Sequence, residues 1–105
     1  MSNYSLIYVT CGTKEEAQNI ILSLLEEKLI ACGNLFPAVT SFFHWEGKID
    51  KSEEVVMILK TKTKLFSKVE PRIVELHSYE VPCIVKIEAD YMHAPFANWI
   101  EETLK

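Results

Sequence analysis

The 105-residue sequence predicts an α+β domain whose elements follow the order β-α-β-β-α-β, with one short helix added at the C-terminus. Three observations support this prediction. Apolar runs of strand length lie towards both ends of the chain, segments with helical spacing lie next to each of them, and a long stretch rich in β-branched and aromatic residues lies between. A hydrophobic content of 49% and a charged fraction of 25% are typical of a globular protein and exclude a disordered chain. We expect residues 1–105 to form a single domain.

The first strand and the first helix have the clearest patterns. The run YSLIYVTC, residues 4–11, is apolar on both faces, which is typical of a buried central strand. Thr13 can cap the next helix, and Glu16 three positions later completes a capping-box pattern. Apolar residues then recur at helical spacing, which predicts an amphipathic helix over residues 14–30.

A long β-hairpin is predicted in the middle of the chain. Residues that favour strands extend over 32–46, a polar turn follows over 47–52, and a second strand is predicted over 54–61. Each of the two arms is longer than the usual strand of about five or six residues. Pro37 cannot donate to a strand ladder, so it indicates an edge or a bulge within the first arm.

The second half of the chain completes the predicted fold. A helix is predicted over 64–77 despite the internal Pro71, with position 67 as an alternative start. The last strand is predicted over 81–89, and a short helix over 94–104. This order is the ferredoxin-like, or split βαβ, arrangement, in which a four-stranded antiparallel sheet carries helices on one face.

The predicted hairpin is too apolar to stand free in water. A two-stranded ribbon is marginal by itself, and exposed apolar edges favour pairing with another chain. We therefore expect self-association. The residues concerned are Phe42, Phe43, Trp45, Val55, Val56, Met57 and Ile58.

Charge and composition exclude several classes of partner. The net charge is −4 and the isoelectric point is about 5.3, and no run of Lys or Arg offers a surface for nucleic acid. No segment approaches the roughly 18 apolar residues of a membrane span, and residues 1–12 lack a signal-peptide pattern. Three cysteines without a CxxC pair argue against a zinc knuckle or a thioredoxin motif, and free thiols fit a reducing compartment. We expect a cytoplasmic protein with neither a nucleic-acid nor a membrane partner.

The segment LHSYEVPCIV, residues 76–85, concentrates side chains that can carry chemistry. His77 and Cys83 could form a catalytic pair, His77 could be half of a metal site, or the segment could be only a turn. The sequence provides no oriented third group and no oxyanion hole, so we expect no enzymatic activity.

Five segments together resemble the divalent-cation tolerance family, CutA. The resemblance covers essentially the whole chain and implies a ferredoxin-like subunit in a homotrimer held by the long hairpin. It also implies binding of copper or another divalent cation, and an architectural kinship with trimeric PII-type signalling proteins. The segments are VTCGT (9–13), EEKLIACGNL (26–35), FFHWEGKI (42–49), MILKT (57–61) and ELHSYEVPCIV (75–85).

The resemblance also implies a copper site. The family pattern uses a cysteine at the end of the first strand, matched by Cys11, and two adjacent histidines before the last strand. His77 matches the second histidine, but Leu76 occupies the position of the first. Ser78 and Cys83 also replace a proline and a glutamate of the family pattern. A thiolate and an imidazole suit copper or zinc, although two ligands do not complete a coordination shell.

Each of these residues also has a structural interpretation. Cys11 could simply pack at a strand end, and His77 could cap the second helix. Trp45 could be an intersubunit anchor or a stacking platform, and Glu46 a solvated turn residue or a substitute metal ligand. Tyr79 fits an interface or turn aromatic.

Two functions remain as alternatives to copper-linked cation tolerance. The chain could form a PII-like regulatory trimer that binds a small anionic ligand between subunits, where Lys60 and Lys62 would supply positive charge. It could also form a structural trimer that anchors a partner protein. A substitute for the missing metal ligand could come from His44, Glu46 or Cys83, or from a neighbouring subunit.

Overall fold

A computed structural model describes residues 2–105, and these residues form the predicted α+β architecture. The strands form one antiparallel sheet in the order β2-β3-β1-β4, with β1 in a central position. The predicted ferredoxin-like topology, the long hairpin and the C-terminal helix are therefore confirmed. The elements are β1 (Tyr4–Cys11), α1 (Lys14–Glu26), β2 (Cys32–Trp45), β3 (Lys48–Lys62), a 3₁₀ turn (Thr63–Leu65), α2 (Phe66–Leu76), β4 (Ile84–Glu88) and α3 (Ala94–Thr103).

The hydrophobic core lies between one face of this sheet and helices α1 and α2. Alternate residues of β1 and β3 face the helices, because successive side chains of a strand point to opposite faces. The strands contribute Ile7, Val9, Cys11, Val55, Met57 and Leu59 to this core, and the helices contribute Ala17, Ile20, Ile21, Leu24, Val69 and Ile73.

The opposite face of the sheet is also apolar, and the two long helices do not cover it. The register places Tyr8 opposite both Ile58 and Val85 on this face. Phe36, Val85 and Ile87 are about half exposed there. We call this surface the open face, and it consists of Leu6, Tyr8, Phe36, Val56, Ile58, Val85 and Ile87.

Helix α3 covers this side of the sheet only at one end. The Tyr4 hydroxyl donates to the Glu101 carboxylate at 2.7 Å, and the Lys62 ammonium lies 3.2 Å from the same carboxylate. The Lys60 ammonium lies 5.6 Å from the centre of the Phe96 ring. Helix α3 therefore covers the end of the sheet near Tyr4 and Lys62 and leaves most of the open face uncovered. Among residues 2–105, no helix combines the length and the apolar character needed to cross a membrane.

The β2–β3 hairpin extends beyond the rest of the sheet as a two-stranded ribbon. Strand β1 ends with Cys11 opposite Val55, whereas β2 and β3 stay paired as far as Trp45 and Lys48. The register shifts between Phe36 and Val39, which confirms the irregularity expected at Pro37.

The predicted hairpin turn over 47–52 was wrong, because the turn is shorter. Glu46 and Gly47 have φ of 49° and 77°, and a two-residue loop with two positive φ angles matches the twist of paired strands. Strand β3 therefore begins at Lys48 rather than at residue 54. The charged residues of its first half obscured the strand pattern, since such residues are uncommon in strands.

Two other predicted boundaries also moved. Helix α1 ends at Glu26 instead of residue 30, because Lys28 adopts a φ of 61°. The Leu29 N–H donates to the Leu24 carbonyl and the Lys28 N–H to the Leu25 carbonyl, which is the Schellman pattern of a helix end. Strand β4 begins at Ile84 instead of residue 81, because its pairing with β1 starts with Ile84 opposite Val9.

The packing of α1 gives a prediction about stability. Leu24 is fully buried, so we expect Leu24→Ala to lower the free energy of unfolding by about 2–5 kcal/mol. Leu22 on the same helix is 63% exposed. Leu22→Ala should therefore change the free energy of unfolding by less than about 0.5 kcal/mol. Urea unfolding at one fixed protein concentration measures both. Equal effects of the two substitutions would contradict the core assignment.

Candidate functional site

The end of β1, the start of α1 and the loop after α2 meet at one corner of the sheet. Thr13 caps α1, as predicted, because its hydroxyl oxygen accepts the Glu16 N–H at 3.1 Å. Cys11 ends β1 and is buried, and its thiol lies 3.4 Å from the Thr13 carbonyl oxygen. A carbonyl oxygen can only accept, so the contact requires a protonated thiol.

His77 joins the loop after α2 to β1. Its side chain is 0% exposed, and its Nε2 lies 2.7 Å from the Thr10 carbonyl oxygen. Its Nδ1 accepts the Tyr79 N–H at 3.0 Å. Since the carbonyl accepts and the amide donates, the Nε2 carries the proton and the imidazole is neutral. His77 also ends α2 with extended backbone angles, which agrees with a structural role at the helix end.

Glu16 joins the same loop to α1. Its carboxylate accepts the Ser78 N–H at 2.6 Å, and the same oxygen lies 3.9 Å from Nδ1 of His77. Burial raises the pKa of Glu16, whereas hydrogen bonds from Ser78 and Gly12 lower it, and the net pKa lies below its usual value. Glu16 therefore stays ionised beside a neutral imidazole.

Tyr79 completes the corner. Its hydroxyl donates to the Glu54 carboxylate of β3 at 2.9 Å, and its ring packs against the His77 ring with centroids 4.7 Å apart. Burial, together with the carboxylates of Glu54 and Glu16, raises the pKa of Tyr79 to about 12. Burial also raises the pKa of the Cys11 thiol, and Glu16 and Glu54 raise it further. The corner therefore favours protonated, neutral forms of the thiol and the phenol.

Cys11 and His77 supply two donors of the right chemistry for a soft metal ion. The hydrogen bond from Nε2 to the Thr10 carbonyl is the orienting contact that metal-binding histidines usually make through the nitrogen that does not bind metal. Nδ1 would then be the ligating atom. Within residues 2–105 no cluster of three or more His, Cys, Asp or Glu side chains has the spacing of a metal site. The pair fits copper by donor type, while further ligands would have to come from outside this cluster.

The geometry excludes a catalytic pair of Cys83 and His77. Both ring nitrogens of His77 are bonded to Thr10 and Tyr79, and Cys83 is exposed on the loop before β4. His77 is therefore not available as a base for the Cys83 thiol.

The other predicted site residues lie apart from this corner or touch it only at its rim. Trp45 and Tyr79 line a cavity of about 390 Å³ with Glu80 and Val81, while Glu46 lies in the hairpin turn beside Trp45. Lys60 and Lys62, the charges of the alternative anion site, already contact Phe96 and Glu101 of α3.

Two carboxylates of this corner, Glu16 and Glu54, have roles that their sequence positions did not predict. Glu16 was interpreted as a capping residue, yet its carboxylate binds the loop after α2. Glu54 was interpreted only as part of a strand, yet it receives the Tyr79 hydroxyl. Both contacts join residues far apart in the chain, so local spacing gave no signal for them.

Comparison with known proteins gives a consistent result. Residues 5–103 match the family model described as CutA1 divalent ion tolerance protein. A divalent-cation tolerance protein CutA from Archaeoglobus fulgidus is 43% identical over 102 residues, which cover 97% of this chain and 99% of that protein.

Solved structures of the same family share the fold. The crystal structure of divalent ion tolerance protein CutA1 from Ehrlichia chaffeensis has a TM-score of 0.94 at 37% identity and covers 100% of this chain and 98% of that one. The structure of the protein described as periplasmic divalent cation tolerance protein CutA from Archaeoglobus fulgidus has a TM-score of 0.94 at 42% identity, covering 97% and 99% of the two chains.

The raised pKa of Tyr79 gives a prediction about pH. The unfolded chain ionises its tyrosines near a pKa of about 10. Because folded Tyr79 holds its proton up to about pH 12, its contribution to stability is complete below about pH 10 and is lost as the pH rises from there. In a pH titration of the folded protein, we expect part of the tyrosinate absorbance to appear only near pH 12. Tyr79→Phe should remove this part. Glu54→Gln should move this component to lower pH. A Tyr79→Phe titration without that loss would contradict the assigned environment.

Proposed function

The chain belongs to the CutA1 family of divalent ion tolerance proteins, and from this premise we propose that it acts in cation tolerance as a copper-binding homotrimer. The family description names ion tolerance and no reaction, which supports the expectation that the chain is not an enzyme. The open face of the sheet is the observation that carries the proposed assembly.

The open face supports self-association for a physical reason. Monomeric proteins rarely expose large contiguous apolar patches, and this one spans all four strands of the sheet. A second copy of the chain offers the same apolar face, so burial against copies would remove both surfaces from water.

The hairpin supports the same proposal. Beyond β1, no third strand from residues 2–105 pairs with it. Trp45 and Ile49 near its tip are 62% and 77% exposed. A two-stranded ribbon of this length is marginal in water, so contact with a neighbouring subunit would stabilise it. The number of subunits in the proposed assembly, three, is inferred from the family resemblance.

Copper binding by Cys11 and His77 is the finer part of the proposal. The supporting observations are the donor types, a thiol and an imidazole, and the orienting hydrogen bond to Thr10. A thiolate and an imidazole suit copper, and the remaining ligands would have to come from other residues or from a neighbouring subunit. Leu76 stands where the family pattern has another histidine, so we expect weaker binding here than in chains with both.

The compartment and the alternative functions stay predictions. Three free cysteines support a cytoplasmic location, although the structure from Archaeoglobus fulgidus is described as that of a periplasmic protein. The anion-binding alternative is weakened because the Lys62 ammonium already forms an ion pair with Glu101 of α3 at 3.2 Å. Nothing in residues 2–105 favours the anchoring alternative over the others.

The proposed trimer predicts an effect of hairpin substitutions. Trp45→Ala should weaken association by about 2 kcal/mol or more, since buried aromatic anchors typically contribute that much. The melting temperature should rise with protein concentration in the wild type and lie lower in this variant. Val74→Ala, at an exposed position of α2, is the matched control and should leave both unchanged. A melting temperature independent of concentration would contradict the proposed assembly.

The proposed copper site predicts which substitutions abolish binding. Cys11→Ser and His77→Ala should each lower copper affinity by more than the roughly tenfold to hundredfold that loss of an outer-shell contact causes. Cys83→Ser is the matched thiol control and should retain affinity. Since Cys11 must lose a proton whose pKa is raised by burial, affinity should increase with pH. Calorimetry of the reduced protein measures all of these. Loss of copper in Cys83→Ser alone would contradict the assignment.

A further inference from the structure

A cavity of about 390 Å³ is lined by the end of β2 and by the loop after α2. Its lining residues are Trp45 from the hairpin and Tyr79, Glu80 and Val81 from the loop. Sites for small molecules usually have volumes of about 300–1,000 Å³, with mostly apolar or aromatic walls and a few polar groups. Two aromatic side chains, one aliphatic side chain and one carboxylate match that description. The cavity is therefore suited to a small organic molecule.

Both aromatic side chains of the cavity keep accessible ring surface. Trp45 is 62% exposed and Tyr79 is 38% exposed. The Tyr79 ring is held in place, because it packs on the His77 ring and its hydroxyl donates to the Glu54 carboxylate at 2.9 Å. The faces of aromatic rings carry partial negative charge, and they attract a cation that lies within about 6 Å of the ring centre. The two rings therefore favour a cation over an anion of the same size.

The charges around the cavity also favour a cation. Of the four described residues that line it, Glu80 alone carries a charge, and that charge is negative. Glu46 directly follows Trp45 in the chain. Lys48 pairs with Trp45 across the ribbon, and it lines another hollow of the turn together with Glu46 and Asp50. The lining of the cavity itself therefore has a net negative charge.

We propose that the cavity of Trp45, Tyr79, Glu80 and Val81 binds a small organic cation with apolar substituents, of the quaternary ammonium class. The two rings contact the charged group and its substituents, as aromatic side chains do in known sites for quaternary ammonium ligands. The Glu80 carboxylate balances the charge. A quaternary ammonium group has no N–H, so it needs no hydrogen-bond acceptor. A bare metal ion fits less well, because the cavity offers a single carboxylate as ligand.

This cavity uses neither Cys11 nor His77 as a ligand, so its occupancy does not require copper. It is also compatible with the proposed assembly. An indole ring has two faces, and Trp45 can contact a ligand with one face while the other packs on a neighbouring subunit.

The test compares choline with neohexanol, in which carbon replaces the ammonium nitrogen. The two molecules have nearly the same shape, and only choline carries a positive charge. In nitrogen-15 NMR titrations of the wild-type protein, we expect choline to shift the indole signal of Trp45 and the amide signals of Glu80 and Val81. Choline should bind about tenfold or more tightly than neohexanol. Equal affinities, or no binding of choline at millimolar concentrations, would overturn the proposal.

Two variants and one control assign the binding to this cavity. Glu80→Gln removes the charge at nearly constant shape, so it should weaken choline binding about threefold and leave neohexanol binding unchanged. Trp45→Leu keeps an apolar side chain without the aromatic ring, and it should lower the preference for choline over neohexanol. Glu70→Gln, at an exposed position of α2, is the matched charge control and should bind choline as the wild type does.

Each variant is judged by the ratio of the two affinities, because a general loss of structure or of assembly would affect both ligands alike. If Glu80→Gln and Glu70→Gln weaken choline binding equally, choline is attracted by the acidic protein as a whole and the proposed site is wrong. If Trp45→Leu keeps the full preference for choline, the aromatic recognition is wrong.

Discussion

Helices α1 and α2 cover only one face of a sheet whose two faces are both apolar. The covered face holds the buried core, with Ile7, Met57 and Leu59 among its fully buried residues. The open face carries a comparable set of aliphatic and aromatic side chains that no long helix reaches. Burial of apolar surface is the main favourable term in folding and in association. The uncovered apolar face is therefore the part of the molecule that favours association most. The proposed assembly would cover this face with other copies of the chain.

The candidate site depends on the same central strand. Cys11 ends β1, and the carbonyl of the preceding Thr10 orients His77. Glu16 and Tyr79 then attach the loop before β4 to its neighbours. The chemistry of the corner is therefore a consequence of its packing: burial keeps the thiol and the phenol protonated, and backbone hydrogen bonds fix the imidazole tautomer.

Periodicity was sufficient to predict the fold, because the strands and helices have strong patterns and Pro37 marked the bulge. Boundaries failed where one residue adopts an uncommon backbone conformation, as Lys28 does at the end of α1. No spacing rule predicts a left-handed lysine. Cys11 and His77 could be selected from the family resemblance, and they are joined through Thr10 in space. The role of Glu16 could not be predicted, since its contact to Ser78 bridges 62 positions of the chain.

The central claim is that copies of the chain cover the open face. Sedimentation equilibrium of the wild-type protein at micromolar concentration tests it most directly, because it reports mass without assuming a shape. We expect a single species of three times the 12.1 kDa mass of one chain. A folded species with the mass of one chain would contradict it.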